Sequence, residues 1–358
     1  MAKQSSGQVD TRIGYIDALK GFAMIFVVLG HIVSGYIGTD AYQEASGFLY
    51  NTYNLIYAFH MPLFMMLSGY LYYTAYFNDS GRPDTGRIHR QMYDQIGVYI
   101  IYSVLWGFLK ILVVKLSDVP LTTETTPLDI ALIWVKPIGS YWYLYVLIFL
   151  YMIFSFKRLT DANKWILLGI FSTIALCAQV ISIPWFEFSR VLYQALFFFI
   201  GITGKKYKDW VIGNKWLTLV LFIVAVGTSV LVWNNKRDTS QYANKVFLLS
   251  IVVALGISLA LWYVFERINF IGNIKIFKLF GRYSLEIYVI HDFIAAGLRS
   301  VLLKAGIHNM YTSIVFILII SITMPILFSA LCKKLNIHGL FFKPVTYVTK
   351  KIRKYGGV

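Results

Sequence analysis

The chain has 358 residues, of which 58% are hydrophobic, 17% aromatic and only 14% charged, yet its 33 Lys and Arg against 17 Asp and Glu leave a formal charge of +16. A soluble domain of this length carries about 25% charged residues and a disordered chain is poor in apolar ones, so a mean hydropathy of +0.64 excludes both. Such basicity could suit a nucleic acid, but long apolar runs claim most of the chain, so we expect a lipid bilayer as its surroundings and no nucleic-acid partner.

A span needs about 20 apolar residues. That length predicts helices over 13–35, 49–76, 95–115, 139–156, 164–183, 187–204, 215–233, 245–265, 283–303 and 311–332. The fold class is therefore all-α, a polytopic transmembrane bundle of about ten spans, with the shortest connection around Pro184. The N-terminal stretch lacks the small-residue cleavage site of a signal peptide, so the first run is expected to stay in the mature protein. Residues 1–335 form the expected transmembrane domain and 336–358 a basic cytoplasmic tail lying against anionic headgroups. Orientation follows from the bases. An inner N-terminus puts 23 of the 33 on the inner side, including Lys157, Arg158 and Lys208, and nine on the outer, with Lys20 left inside the first run. This asymmetry predicts both termini in the cytosol. Cys177 and Cys332, inside distant apolar runs, offer no metal or disulfide spacing and are read as small packing residues.

Ionisable groups inside a span are costly and mark function. In the first run, Lys20 and His31 are eleven residues apart, which at 100° per residue leaves them about 20° from one line. Asp17 occupies the neighbouring position three residues before Lys20. The three form a polar stripe about 21 Å long that must face the bundle interior or a wet cavity. The plainer alternative is a buried Asp17–Lys20 pair that only packs the bundle.

The run RIGYIDALKGFAMIFVVLGHI resembles the opening motif of the acyltransferase-3 family of integral membrane acyltransferases, with Asp17, Lys20 and His31 at its matching positions. This chain has Lys where Arg is commoner, and an ammonium does not grip phosphate bidentately as a guanidinium does. FHMPLFMMLSGYL (Phe59–Leu71), SYWYLYVLIFLY (Ser140–Tyr151) and GRYSLEIYVIHDF (Gly281–Phe293) are similar to later motifs of the family, in the same order. RIHRQMYDQIGVYIIYS (Arg87–Ser103) is like its basic approach to the third helix, without the usual proline. The resemblance implies a multi-pass enzyme of a bacterial cytoplasmic membrane. It would transfer an acyl group from acetyl-CoA, or another acyl-CoA such as succinyl, to a sugar or polysaccharide hydroxyl. On that reading His31 is the catalytic base, Asp17 holds Lys20, and Lys20, Arg87 and Arg90 hold the anionic end of the donor.

The other polar residues are weighed singly. His60, beside Pro62, either lines the site or satisfies backbone groups the proline frees. Ser284 and His291, seven apart, share a helix face, and a cavity-facing His291 is expected. Asp292 points about 100° away from His291, and Glu286 faces another helix. His89, His308 and His338 are read as solvated. Trp142 and Tyr143, with Tyr50, Tyr53, Tyr57 and Tyr145, form either an interfacial aromatic belt or stacking surfaces for a sugar. No HExxH or other grouped ligand spacing occurs, so no metal is expected. No GxSxG elbow occurs either, and Ser68 is read as a packing residue. A transporter or flippase for a polysaccharide or lipid-linked sugar would also place polar residues at mid-depth, but no paired halves with matching broken helices are visible.

Overall fold

The structure, a computed structural model, describes residues 14–37, 46–78, 80–116, 125–156, 163–180, 186–206, 215–234, 247–307 and 309–355. The connection around Pro184, His308 and the bases Lys157, Arg158 and Lys208 lie outside them. In chain order the helices are α1 (Gly14–Tyr36), α2 (Ser46–Tyr76), α3 (Thr85–Leu116), α4 (Pro127–Ala131), a 3-10 turn (Gly139–Tyr141) leading into α5 (Trp142–Phe154), α6 (Lys164–Val180), α7 (Phe188–Lys206), α8 (Lys215–Asn234) and α9 (Phe247–Arg267). They continue with α10 (Asn269–Gly272), α11 (Lys275–Arg282), α12 (Ser284–Lys304), α13 (Met310–Lys334), α14 (His338–Phe342) and α15 (Pro344–Tyr355). Among the described residues the extended structure is confined to one isolated bridge, Phe77 with Pro83.

Helices stand where the apolar runs predict them. Among the described residues, four of these, Gly14–Tyr36, Gly47–Tyr76, Thr85–Leu112 and Met310–Lys334, are long and apolar enough to cross a membrane. Helix α12 falls short of such a composition for a reason that matters below: every stretch of about 18 residues in it holds three of the charges Glu286, Asp292, Arg299 and Lys304.

Helix α1 is the pivot. It packs against α2, α9, α11, α12 and α13, and its buried side, including Leu19, Ala23, Val27, Val28 and Ile32, supplies part of the common core. Its crossing with α11 is set by two glycines. A Cβ on Gly21 would lie 1.9 Å from the Phe277 carbonyl oxygen, and one on Gly281 would lie 1.8 Å from that of Asp17. Backbone approach this close needs residues without side chains, and it brings the Asp17 turn against Arg282. A Gly281→Val substitution is expected to cost about 3 kcal/mol through forced separation of α1 from α11. Lowered thermal stability and yield of the purified protein would report it.

Aromatic rings fill the bundle between α2, α5 and α7, with Phe198 within 5.3 Å of Phe154 and 5.4 Å of Tyr72 between ring centroids. The tail differs from a purely surface-bound segment. Phe342 is buried, and the Asp94 carboxylate of α3 accepts from the backbone N–H of Thr346 at 2.8 Å and from its hydroxyl at 2.5 Å. His338, expected to be solvated, lies 3.2 Å from the buried Glu286 carboxylate, which Ser329 also approaches at 3.2 Å. Sequence position alone hid this, because the contact closes over 52 residues. The remainder of α15 is amphipathic, with Val345, Val348 and Ile352 exposed along one stripe. Cys332 is buried, whereas Cys177 is exposed on its helix.

Candidate active site

The outstanding polar cluster is formed by residues from two helices. His31 of α1 and His291 of α12 have ring centroids 5.1 Å apart. Between them lies Asp292, whose Oδ1 is 3.6 Å from His31 Nδ1 and 3.3 Å from His291 Nε2. The other oxygen, Oδ2, accepts a short hydrogen bond from the Ser140 hydroxyl. The 3-10 turn that carries Ser140 is strapped to α12: Tyr288 donates to the Ser140 carbonyl and Tyr141 to the Val289 carbonyl at 3.0 Å. Asp292 is thus tied to the turn through Ser140 and lies between the two imidazoles.

Hydrogen-bond roles in the cluster follow from what each partner can do. His291 Nδ1 is 2.7 Å from the Tyr288 carbonyl oxygen and 3.1 Å from that of Ile287. Carbonyls only accept, so Nδ1 carries the proton, and Nε2 is the atom turned to the carboxylate. His291 is fully buried; His31 keeps 21% of its side chain exposed. Of the two imidazoles, His31 is the one a ligand can reach.

It opens on a cavity of about 830 Å³. Tyr57 and Trp142 contribute rings to the wall, and Lys110, Arg190, Arg299 and Lys304 contribute positive charge. Arg190 is paired with Glu187 at 3.2 Å and lies over the Trp142 ring at 5.0 Å. A second, smaller cavity of about 190 Å³ is lined by Lys20, Gln91, Gln95, Ser68, Tyr143, Ser284 and mainly apolar side chains. The same helix, α1, therefore presents Lys20 to one cavity and His31 to the other.

The residues singled out from the sequence separate accordingly. His31, Trp142 and His291 gather at or behind the wall of the large cavity, while Lys20, Tyr143 and Ser284 belong to the small one. Tyr143 is hydrogen-bonded to Ser68 at 2.7 Å. Ser284 and His291, although on one helix face, meet different cavities because seven residues displace them by about 10 Å along the axis. Asp17 Oδ2 lies 3.8 Å from Arg282 Nε of α11. His60 is buried, with Nδ1 2.7 Å from the Ile56 carbonyl and its ring 4.7 Å from that of Tyr57, so it supports Tyr57 from behind. Arg87 and Arg90 are exposed at the start of α3, and Arg87 lies 4.0 Å from Asp84.

Two residues of the cluster were not nominated from the sequence. On an isolated helix Asp292 points about 100° from His291. That angle describes Cα directions, whereas the carboxylate and imidazole bend toward a group on a facing helix. Ser140 lay inside a quoted motif but carried no local signal, since its partner is 152 residues away. One imidazole nitrogen each from His31 and His291 and an Asp292 oxygen lie within 4.8 Å of one another. Such donors could hold a divalent first-row metal as well as a proton, a possibility invisible to spacing rules because the ligands come from separate helices.

An all-helical bundle holding two imidazoles against one carboxylate at a cavity wall has the parts of a proton-transfer site. Known proteins identify the lineage: the profile of the acyltransferase-3 family, described as an acyltransferase domain, matches residues 13–330, and the chain belongs to that family. The nodulation protein NolL of Mesorhizobium japonicum is 27% identical over 239 residues, covering 65% of this chain and 59% of its own length. Its namesake in Sinorhizobium fredii is 25% identical over 291 residues, covering 76% of this chain and 75% of its own. The chain spans 59% of the first relative, less than two thirds of its length. No solved structure matches.

Proposed function

We propose that this protein is an O-acyltransferase with about ten membrane spans and both termini in the cytosol of a bacterium. It would take an acyl group, acetyl first and succinyl second, from coenzyme A and transfer it to a hydroxyl of a sugar or surface polysaccharide. The observation that carries this reading is the juxtaposition of His31 with Asp292 at the large cavity, on the helix that also presents Lys20 to the small one. With the bases oriented as the sequence predicts, the Lys20 cavity faces the cytosol, where acyl-CoA is made, and the His31 cavity faces outward.

The chemistry then follows. Asp292 fixes the His31 ring through Nδ1, leaving Nε2 to take the proton of the acceptor hydroxyl as that oxygen attacks the thioester carbonyl. The tetrahedral oxyanion collapses, the carbon–sulfur bond breaks, and the departing thiolate takes the proton back from His31 to leave free coenzyme A. His291 stays behind Asp292 as a positioning residue. Lys20 serves the anionic part of the donor. Arg87 and Arg90 stand near Gln91 and Gln95 of the small cavity, a position suited to catching phosphates as they arrive.

The test is transfer of a labelled acyl group from acetyl- and succinyl-coenzyme A by the purified protein, with thioester consumption measured alongside sugar movement across a vesicle membrane. Sugar transport without thioester consumption would make the protein a transporter instead. Lys20→Gln is expected to raise the donor KM about tenfold while leaving kcat near the wild-type value, the cost of one charged contact. An unchanged donor KM removes Lys20 from its assigned role.

A further inference from the structure

The nine bases that the sequence assigns to the outer side are the minority left by the inward bias of positive charge. Four of them, Lys110, Arg190, Arg299 and Lys304, are not scattered over loops but converge on the cavity of His31. They come from three helices, α3, α7 and α12, so helix periodicity does not explain their meeting. Facing them on the cavity lining is one carboxylate, Asp292, already engaged by His31, His291 and Ser140. Glu187 lies against Arg190 and offsets that guanidinium in part. The lining keeps a clear positive excess.

Arg299 is held by design of the backbone opposite it. A Cβ on Gly35 of α1 would lie 1.5 Å from its Nη1, so the guanidinium occupies the space a side chain would fill one turn beyond His31. A half-buried guanidinium at a cavity wall presents a fork suited to an oxyanion.

We infer that the acceptor entering this cavity carries an anionic group, a carboxylate or a phosphate, which Lys110, Arg299 and Lys304 grip while His31 addresses a neighbouring hydroxyl. The inference rests on the proposed acyl transfer for the name acceptor, but the charge recognition is read by binding alone. Two sources share the chemistry: an acidic sugar, and the diphosphate of a lipid-linked saccharide. In both, Trp142 offers a ring for the sugar face, stiffened by the stacked Arg190.

The experiment is calorimetric titration of the full-length protein in nanodiscs, without donor, against an oligouronate, its carboxyl-reduced neutral counterpart, inorganic pyrophosphate and coenzyme A. The oligouronate or pyrophosphate is expected to bind at least about tenfold more tightly than the neutral saccharide at low salt, with the preference shrinking as salt is added. Lys110→Gln and Lys304→Gln should each remove most of that preference. Gly35→Ala should do the same by displacing the Arg299 side chain without removing its charge. Lys136→Gln, an outer base that does not line the cavity, should leave it intact. Uronate binding assigns the anion to the sugar; pyrophosphate binding without uronate binding assigns it to a diphosphate linkage. Equal affinity for charged and neutral saccharides overturns the inference. So does a loss of coenzyme A affinity, with oligouronate unaffected, in Lys110→Gln and Lys304→Gln, which would give the cavity to the donor. Failure of acyl transfer itself would appear only in turnover and leave these titrations unchanged.

Discussion

Replacing His31 with alanine is expected to lower acyl-transfer turnover by about 10²–10⁴-fold, the contribution of a positioned general base. The donor KM should stay near its wild-type value, because Lys20 and the small cavity lie about 16 Å away along α1. Folding should survive, since His31 borders a cavity and its removal enlarges existing space instead of opening a sealed void. Thermal stability of the purified variant checks that point. Wild-type turnover measured with and without EDTA or 1,10-phenanthroline completes the experiment. Insensitivity to both keeps His31 as a proton acceptor, whereas loss of activity on chelation would assign His31, His291 and Asp292 to a metal. Full turnover in the stable His31→Ala protein would falsify the assignment of the base.

Asp292→Asn should cost nearly as much, about 10²–10³ in kcat, for a different reason. The amide has the volume of the carboxylate but no charge, so it cannot stabilise the imidazolium that His31 becomes during attack. Its NH2 group would also compete for the position now turned toward one of the two histidines, disturbing ring orientation. Acceptor and donor KM values should change little, because Asp292 acts through His31. Ser140→Ala, which removes one hydrogen bond to the other carboxylate oxygen, should lower kcat about tenfold, in keeping with a lost bond to a charged group. A large rise in acceptor KM with kcat retained in Asp292→Asn would instead make the carboxylate a binding group.

Parts of this site were legible in the residues. Lys20 and His31 lie on a single helix, so one angle of rotation and the cost of ionisable groups in lipid sufficed to nominate both. His291 followed from the same reasoning on α12. Asp292 does not follow, because one helical step points it about 100° from His291, whereas convergence happens across the interface with α1. His338, expected to be solvated because it lies in the tail, meets Glu286, expected to face another helix, because the chain folds back after α13. Asp17, expected to hold Lys20 on its own helix, also meets a distant element. The glycine contacts that press α11 onto α1 bring Arg282 to it.

The bases expected on the outer side illustrate the same limit. As a tally they were a minority exception to charge asymmetry, and nothing in their spacing joined Lys110 to Arg299 or Lys304. Taken by itself, the sequence determined the all-helical class, the positions of the apolar helices and the polar stripe of α1. Those properties are set by hydrophobic length, helical pitch and the expense of a charge in an apolar medium, all of which act locally along the chain. Only the tertiary structure decided that Lys20 and His31 serve different cavities, that Asp292 and Ser140 complete the His31 cluster, and that four scattered bases surround it. Those are distances between helices, and side-chain packing, including two glycines where backbones touch, decides which helices become neighbours.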